Sequence, residues 1–144
     1  MKSILSILFV LISFTACNAE TNSQNYDKAL AFAQNGNYKM ALKLWIPLAK
    51  NGNRSAQLNI GNMYFNGQGV MKNYKEASKW YVLSAEQGEI TAQRNLGVMY
   101  YLGNGVNQDK LQSYKWLHKA AKQGDQQSQN NLDILCKESP WACK

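Results

Sequence analysis

Shifted by 36 residues, the chain lies over itself. The segment "SAQLNIGNMYFNGQGVMKNYKEASKWYVLSAEQG" at 55–88 aligns without a gap on "TAQRNLGVMYYLGNGVNQDKLQSYKWLHKAAKQG" at 91–124, and 14 of 34 positions are identical, enough to fix the register. A tandem period of that length commits the chain to a stack of like units, because one unit cannot bury its apolar face alone. Gly61, Tyr64, Gly67, Gly69, Trp80 and Gly88 recur as Gly97, Tyr100, Gly103, Gly105, Trp116 and Gly124. The G-x-G thus appears once per unit, between two helical patterns. No Lys-Ser/Thr pair and no third glycine follow it, so it punctuates the repeat rather than cradling a phosphate.

Each unit reads as a helix hairpin. Ala56, Ile60, Met63 and Tyr64 recur at i, i+4, i+7 and i+8, the apolar face of one helix, with Gly61 allowing close approach of a partner. The chain breaks at Asn66-Gly67-Gln68-Gly69, and Asn73, or Asp109 one unit later, is placed to cap a second helix. That helix is expected to bury Ala77, Trp80, Tyr81 and Ala85 and to stop at Gly88, or at Gly124 in the next copy.

The flanks are degenerate copies. Residues 26–53 make a shorter hairpin whose second helix contains Pro47, followed by hairpins at 54–89 and 90–125. Residues 126–137 repeat a first helix alone, with Leu132 in the place of Leu96. The expected fold is all-α: a short right-handed α/α solenoid of about three and a half hairpins. Its last face needs a cover, expected from the capping tail 138–144 with Trp141 folded over the end.

Residues 1–19 read as a signal peptide, with Lys2 ahead of an apolar run from Ile4 to Phe14 and small residues after it. The run is too short to span a bilayer. Cleavage has two readings: after Ala19 by an ordinary signal peptidase, or before Cys17, since Phe14-Thr15-Ala16-Cys17 resembles a lipobox whose cysteine would be acylated as an outer-membrane tether. Residues 20–25 read as a linker. Either route places the chain in the periplasm, soluble or tethered, and leaves Cys136 and Cys143 as a pair. An oxidising compartment would join them, and the short loop they close would stabilise the fold by about 2–3 kcal/mol. No zinc-type ligand spacing is present, so no metal and no cofactor is expected.

The residues at these positions resemble the Sel1-like repeat family, a branch of the tetratricopeptide-type solenoids. Its pattern of A-x3-L-G-x2-Y-x2-G-x-G-V followed by A-x2-W-Y and a closing glycine is met at Ala56, Gly61, Tyr64, Gly67, Gly69, Val70, Ala77, Trp80, Tyr81 and Gly88. It is met again at Ala92, Leu96, Gly97, Tyr100, Gly103, Gly105, Val106, Trp116 and Gly124. The departures, Ile60, Asn73, Ser84 and Leu117 among them, leave the fold intact. The resemblance implies scaffolding rather than catalysis. Exported bacterial members serve in host contact, in envelope assembly or as immunity proteins that neutralise secreted toxins.

A concave groove along the first helices is where such stacks take partners. A second face of those helices carries Leu58, Asn62 and Phe65 in one unit and Arg94, Val98, Tyr101 and Leu102 in the next. Asn130 and Ile134 extend it on the last helix, and Tyr26 and Leu30 on the first. Aromatic, aliphatic and amide groups with one arginine suit a protein-binding patch, although the same residues could pack between neighbouring repeats. The expected partner is a protein, either a secreted toxin or an envelope protein, bound by a monomer. Nucleic acid is not expected for an exported chain.

The formal net charge is +7. Lys43, Lys79 and Lys115 stand in register on the second helices, with Lys39, Lys75, Lys119 and Lys122 nearby. They form either an ordinary solvated face or one drawn to an anionic envelope surface. Catalysis finds no support in the inventory: His118 is the one histidine, no nucleophile is tied to it by the period, and the nine carboxylates are scattered.

Overall fold

The structure, a computed structural model, describes residues 21–144, so the expected signal peptide, the cleavage sites and Cys17 lie outside it. Helix α1 occupies 21–34. It is followed by α2 (Tyr38–Lys50), α3 (Arg54–Asn66), α4 (Tyr74–Glu86), α5 (Ile90–Leu102), α6 (Lys110–Lys122) and α7 (Gln126–Glu138). A 3-10 turn, η1 (Pro140–Cys143), closes the described chain. Residues 21–25, expected as linker, are already helical and extend the first hairpin. No strand occurs among the described residues.

The starts of α3, α4, α6 and α7 follow from side-chain caps. The Oδ1 atoms of Asn53, Asn73 and Asp109 accept from the backbone N–H three residues on, at 2.8, 3.1 and 3.0 Å, and Asp125 Oδ2 does the same at 2.9 Å. Each satisfies one amide that the first turn leaves without a partner. Asn73 and Asp109 are the caps expected from sequence.

Each helix packs on the next, α3 on α4, α4 on α5, α5 on α6 and α6 on α7, the arrangement of an α/α hairpin solenoid. Close approach inside a hairpin depends on one glycine. A Cβ built on Gly61 would lie 2.6 Å from the Tyr81 ring, and one on Gly97 would lie 2.7 Å from Leu117 Cγ. Tyr81 and Leu117, at equivalent positions, are both buried. Trp80, expected in the core, is half-buried and packs instead against the cluster around Trp45, Ile60 and Met63. It bridges units rather than filling one.

The second glycine of each G-x-G has a contact of its own. Gly105 (φ 70°) lies so close to the start of α4 that a Cβ would fall 2.3 Å from the Tyr74 carbonyl carbon. Gly69 is placed in the same way against Tyr38 at the start of α2. The loop of each unit therefore rests on the second helix of the unit before it.

Two buried glutamines fasten the units together. Gln57 Nε2 donates to the Ala49 carbonyl (2.9 Å) and Gln93 Nε2 to that of Ala85 (3.1 Å). Each adds a side-chain hydrogen bond to a carbonyl near the end of the preceding second helix, which also accepts from the backbone N–H of Gly52 or Gly88, at 3.1 and 3.0 Å. Gln87 and Gln123 in turn donate to the Oε1 atoms of Gln57 and Gln93 at 2.7 and 2.8 Å.

Cys136 and Cys143 are joined, with Cα atoms 5.7 Å apart, and hold η1 against α6 and α7. The tail covers the end as expected, but not with Trp141, which is 61% exposed. Ala142 and Ser139 face inward, both 2% exposed, and Lys110 Nζ donates to Ser139 Oγ at 2.6 Å. A single 3-10 turn presents little surface to the helices beneath it, and that position falls to the small Ala142.

Candidate functional site: the groove of the first helices

Three clefts run along the layer formed by α1, α3, α5 and α7. The first, about 260 Å³, is walled by Leu30, Gln34, Tyr38, Trp45, Asn59 and Asn62 among others. The second, about 400 Å³, lies between α3, α5 and α7 and takes in Asn62, Phe65, Asn66, Arg94, Asn95, Val98, Gln127 and Asn131. The third, about 190 Å³, is an apolar notch of Val98, Tyr101, Leu102, Leu117 and Ile134, with Asn131 at its edge. Asn62 is common to the first two, and Val98 and Asn131 to the last two, so the clefts make one continuous groove.

Most of the residues expected to bind stand in this groove: Asn62, Phe65, Arg94, Val98, Tyr101, Leu102 and Ile134. Leu58 and Asn130 line none of these clefts. Leu58 is half-buried against the core beside Phe65, and Asn130 is exposed and accepts from Gln126 Nε2 at 3.2 Å. The groove register is one residue later. Asn59, Asn95 and Asn131, spaced 36 apart on α3, α5 and α7, each line it. Asn59 and Asn95 are identical residues of the aligned copies, and that identity at an unburied position was the available signal.

Arg94 enters the groove already engaged, its Nη1 donating to Asp125 Oδ1 at 2.6 Å. Phe65 leans on Tyr74 and Tyr81, with ring centroids 5.0 and 6.3 Å away. Tyr81 Oη donates to Asn62 Oδ1 at 2.8 Å, and burial pushes the phenol well above its usual range. Tyr101 donates to the Glu138 carboxylate, which holds its phenol above the ordinary value as well. The side chains of Asn66, Asn104, Gln127 and Asn131 have no hydrogen-bond partner among the described residues and are open to a ligand. Uncharged amides offering both donors and acceptors, beside an apolar notch, match an extended polypeptide better than an ion. His118 stacks on Tyr114, 5.3 Å between centroids, and lines none of the three clefts.

The Sel1 repeat model matches residues 54–89 and 90–125, the two full copies and together half of the chain. The chain belongs to the Sel1 repeat family. Among solved structures it is similar to a Sel1 repeat protein from Oxalobacter formigenes, with 32% identity and a TM-score of 0.74, over 78% of this chain and 46% of that one. It is also similar to c5321, described as a protective antigen present in uropathogenic Escherichia coli strains and displaying an SLR fold. There the identity is 36% and the TM-score 0.72, over 79% of this chain and 26% of that one. The Sel1 chain described here spans less than half the length of the first and about a quarter of the second. A search of the curated proteins finds no match. Sel1 repeat proteins generally bind other proteins, and the groove holds four side-chain amides, Asn66, Asn104, Gln127 and Asn131, without a partner among the described residues.

Proposed function

We propose that this Sel1 chain is a non-catalytic scaffold of the bacterial envelope that holds a segment of a partner protein in the groove of its first helices. The observation that carries the reading is the line of Asn59, Asn95 and Asn131, one amide per repeat along a groove ending in an apolar notch. Equivalent helices of such a stack lie about 8–10 Å apart. An extended chain covers that distance in about three residues. Asn131, with no partner among the described residues, can read a main-chain group. Asn59, whose Nδ2 donates to Tyr26 Oη at 3.0 Å, keeps its carbonyl oxygen to accept from one, and the notch takes one apolar side chain.

One version is an immunity protein that occludes a secreted toxin in the periplasm; the expected signal peptide at residues 1–19 supports it. A host-facing or envelope adaptor role draws support from the similar chain described as a protective antigen. The test is affinity capture from envelope extracts with wild type and a Phe65→Ala/Tyr101→Ala double variant. The reading expects a partner retained by wild type and lost by the variant; equal capture by both would place recognition elsewhere. Protection of a sensitive strain by expression of this chain would separate the immunity version from the adaptor version.

A further inference from the structure

The outer sides of α2, α4 and α6 carry a lattice. Positions four residues apart along each helix and 36 apart between helices give nine exposed side chains, and six are lysines: Lys39, Lys43, Lys75, Lys79, Lys115 and Lys119. The remaining three are apolar: Pro47, Leu83 and Leu111. None of the nine is acidic. Lys79 pairs with Glu76 at 2.5 Å and Lys119 stands 4.2 Å over the Trp116 ring, while the other four lysines have no charged partner among the described residues. Leu83 and Leu111 are 45% and 48% exposed in the midst of this charge.

We infer that this lattice is a peripheral membrane-binding face that seats the scaffold on a bilayer rich in anionic lipid. Three features favour a lipid surface over a nucleic acid or an acidic protein. The face has no arginine, the residue that reads phosphate and carboxylate in fixed bidentate geometry; Arg54 and Arg94 both lie on first helices. Lysines on flexible stems need no fixed geometry and suit a diffuse negative surface. Leucines among them contribute nothing on a phosphate backbone but can enter the boundary between headgroups and acyl chains. The clefts lie in the other helical layer, so a chain seated this way keeps its groove open to a partner. The inference stands whether or not the groove reading does, because no residue of the lattice lines any of the three clefts of the groove.

The test is sedimentation of the full chain with phosphatidylglycerol/phosphatidylcholine vesicles and with phosphatidylcholine vesicles alone, across a salt series. The comparison is between Lys43→Gln/Lys79→Gln/Lys115→Gln and Lys28→Gln/Lys137→Gln/Lys144→Gln, which remove the same charge on and off the lattice. Wild type should prefer the anionic vesicles, and added salt should erase the preference. The lattice variant should lose about tenfold or more of its anionic partitioning while the off-lattice variant keeps most of it. Leu83→Gln/Leu111→Gln, which retains all the charge, should weaken partitioning severalfold. Equal losses in the two lysine variants would reduce the effect to net charge and overturn the proposal. So would the absence of an anionic preference in wild type, or soluble polyphosphate binding as tightly as the vesicles with the leucine variant unaffected.

Discussion

Arg94 and Asp125 meet across a repeat boundary, with guanidinium nitrogen and carboxylate oxygen 2.6 Å apart and both side chains mostly buried. The other oxygen of Asp125 accepts from the backbone N–H and the hydroxyl of Ser128, at 2.9 and 2.6 Å. One carboxylate thereby caps α7 and ties α5 to it.

Burial by itself would raise the Asp125 pKa. The hydrogen bonds from Ser128 and the Arg94 guanidinium outweigh it and hold the carboxyl below its usual range. The folded-state pKa is lower than the unfolded one, so the stabilisation is complete above the ordinary carboxylate range and is lost as pH falls through the folded value. Asp125→Ala should lower stability by about 2 kcal/mol at neutral pH. Urea titrations at falling pH should show the gap from wild type closing below about pH 4.

Glycines separate by what surrounds them. Gly88 (φ 86°) has nothing within 4 Å of a built Cβ, whereas Gly105 (φ 70°) has the Tyr74 backbone at 2.3 Å. Gly88→Ala should cost about 1 kcal/mol from backbone strain alone. Gly105→Ala should cost about 3 kcal/mol or more, since the loop must also lift off α4. Thermal melts of the two variants check the order.

Under oxidising conditions Cys136→Ser should lose about 2–3 kcal/mol relative to wild type, and under reducing conditions the two should melt together. Because Ala142 rather than Trp141 is buried, Trp141→Ala should leave the melting temperature nearly unchanged. A large loss in that variant would contradict the exposed tryptophan.

For the groove, Asn131→Ala is the cleanest probe, since its amide has no partner among the described residues to lose. With a captured partner in hand, it should weaken binding about tenfold while leaving stability intact. Phe65→Ala should weaken binding and stability together, because Phe65 also packs on Tyr74 and Tyr81. Isothermal titration beside a melt separates the two effects.

The period made the hairpins legible, and with them the caps at Asn73 and Asp109 and the place of each glycine bend. It could not set the rotation of each helix about its axis. One residue is about 100° around a helix, so Leu58 and Asn130 fall outside the clefts that Asn62, Val98 and Ile134 line, while Asn59, Asn95 and Asn131, one step on, line them. Arg94 reaches the groove regardless because its side chain is long. Trp141 was misjudged for a different reason: apolar bulk suggests burial, but a disulfide-closed turn fixes which residue faces in. The buried Gln57 and Gln93 gave no apolar signal, and their role rests on carbonyls that only the packed helix ends reveal.

The glutamine clip has the same form at both joints, Gln57 to Ala49 and Gln93 to Ala85. A copy of residues 90–125 spliced in after Asp125 would bring a third such latch, because the copied Gln93 falls eight residues after Ala121 as Gln93 does after Ala85. The socket at each seam is built from parts that every full unit carries, so the reach of the molecule can be changed by counting units, with no joint to invent.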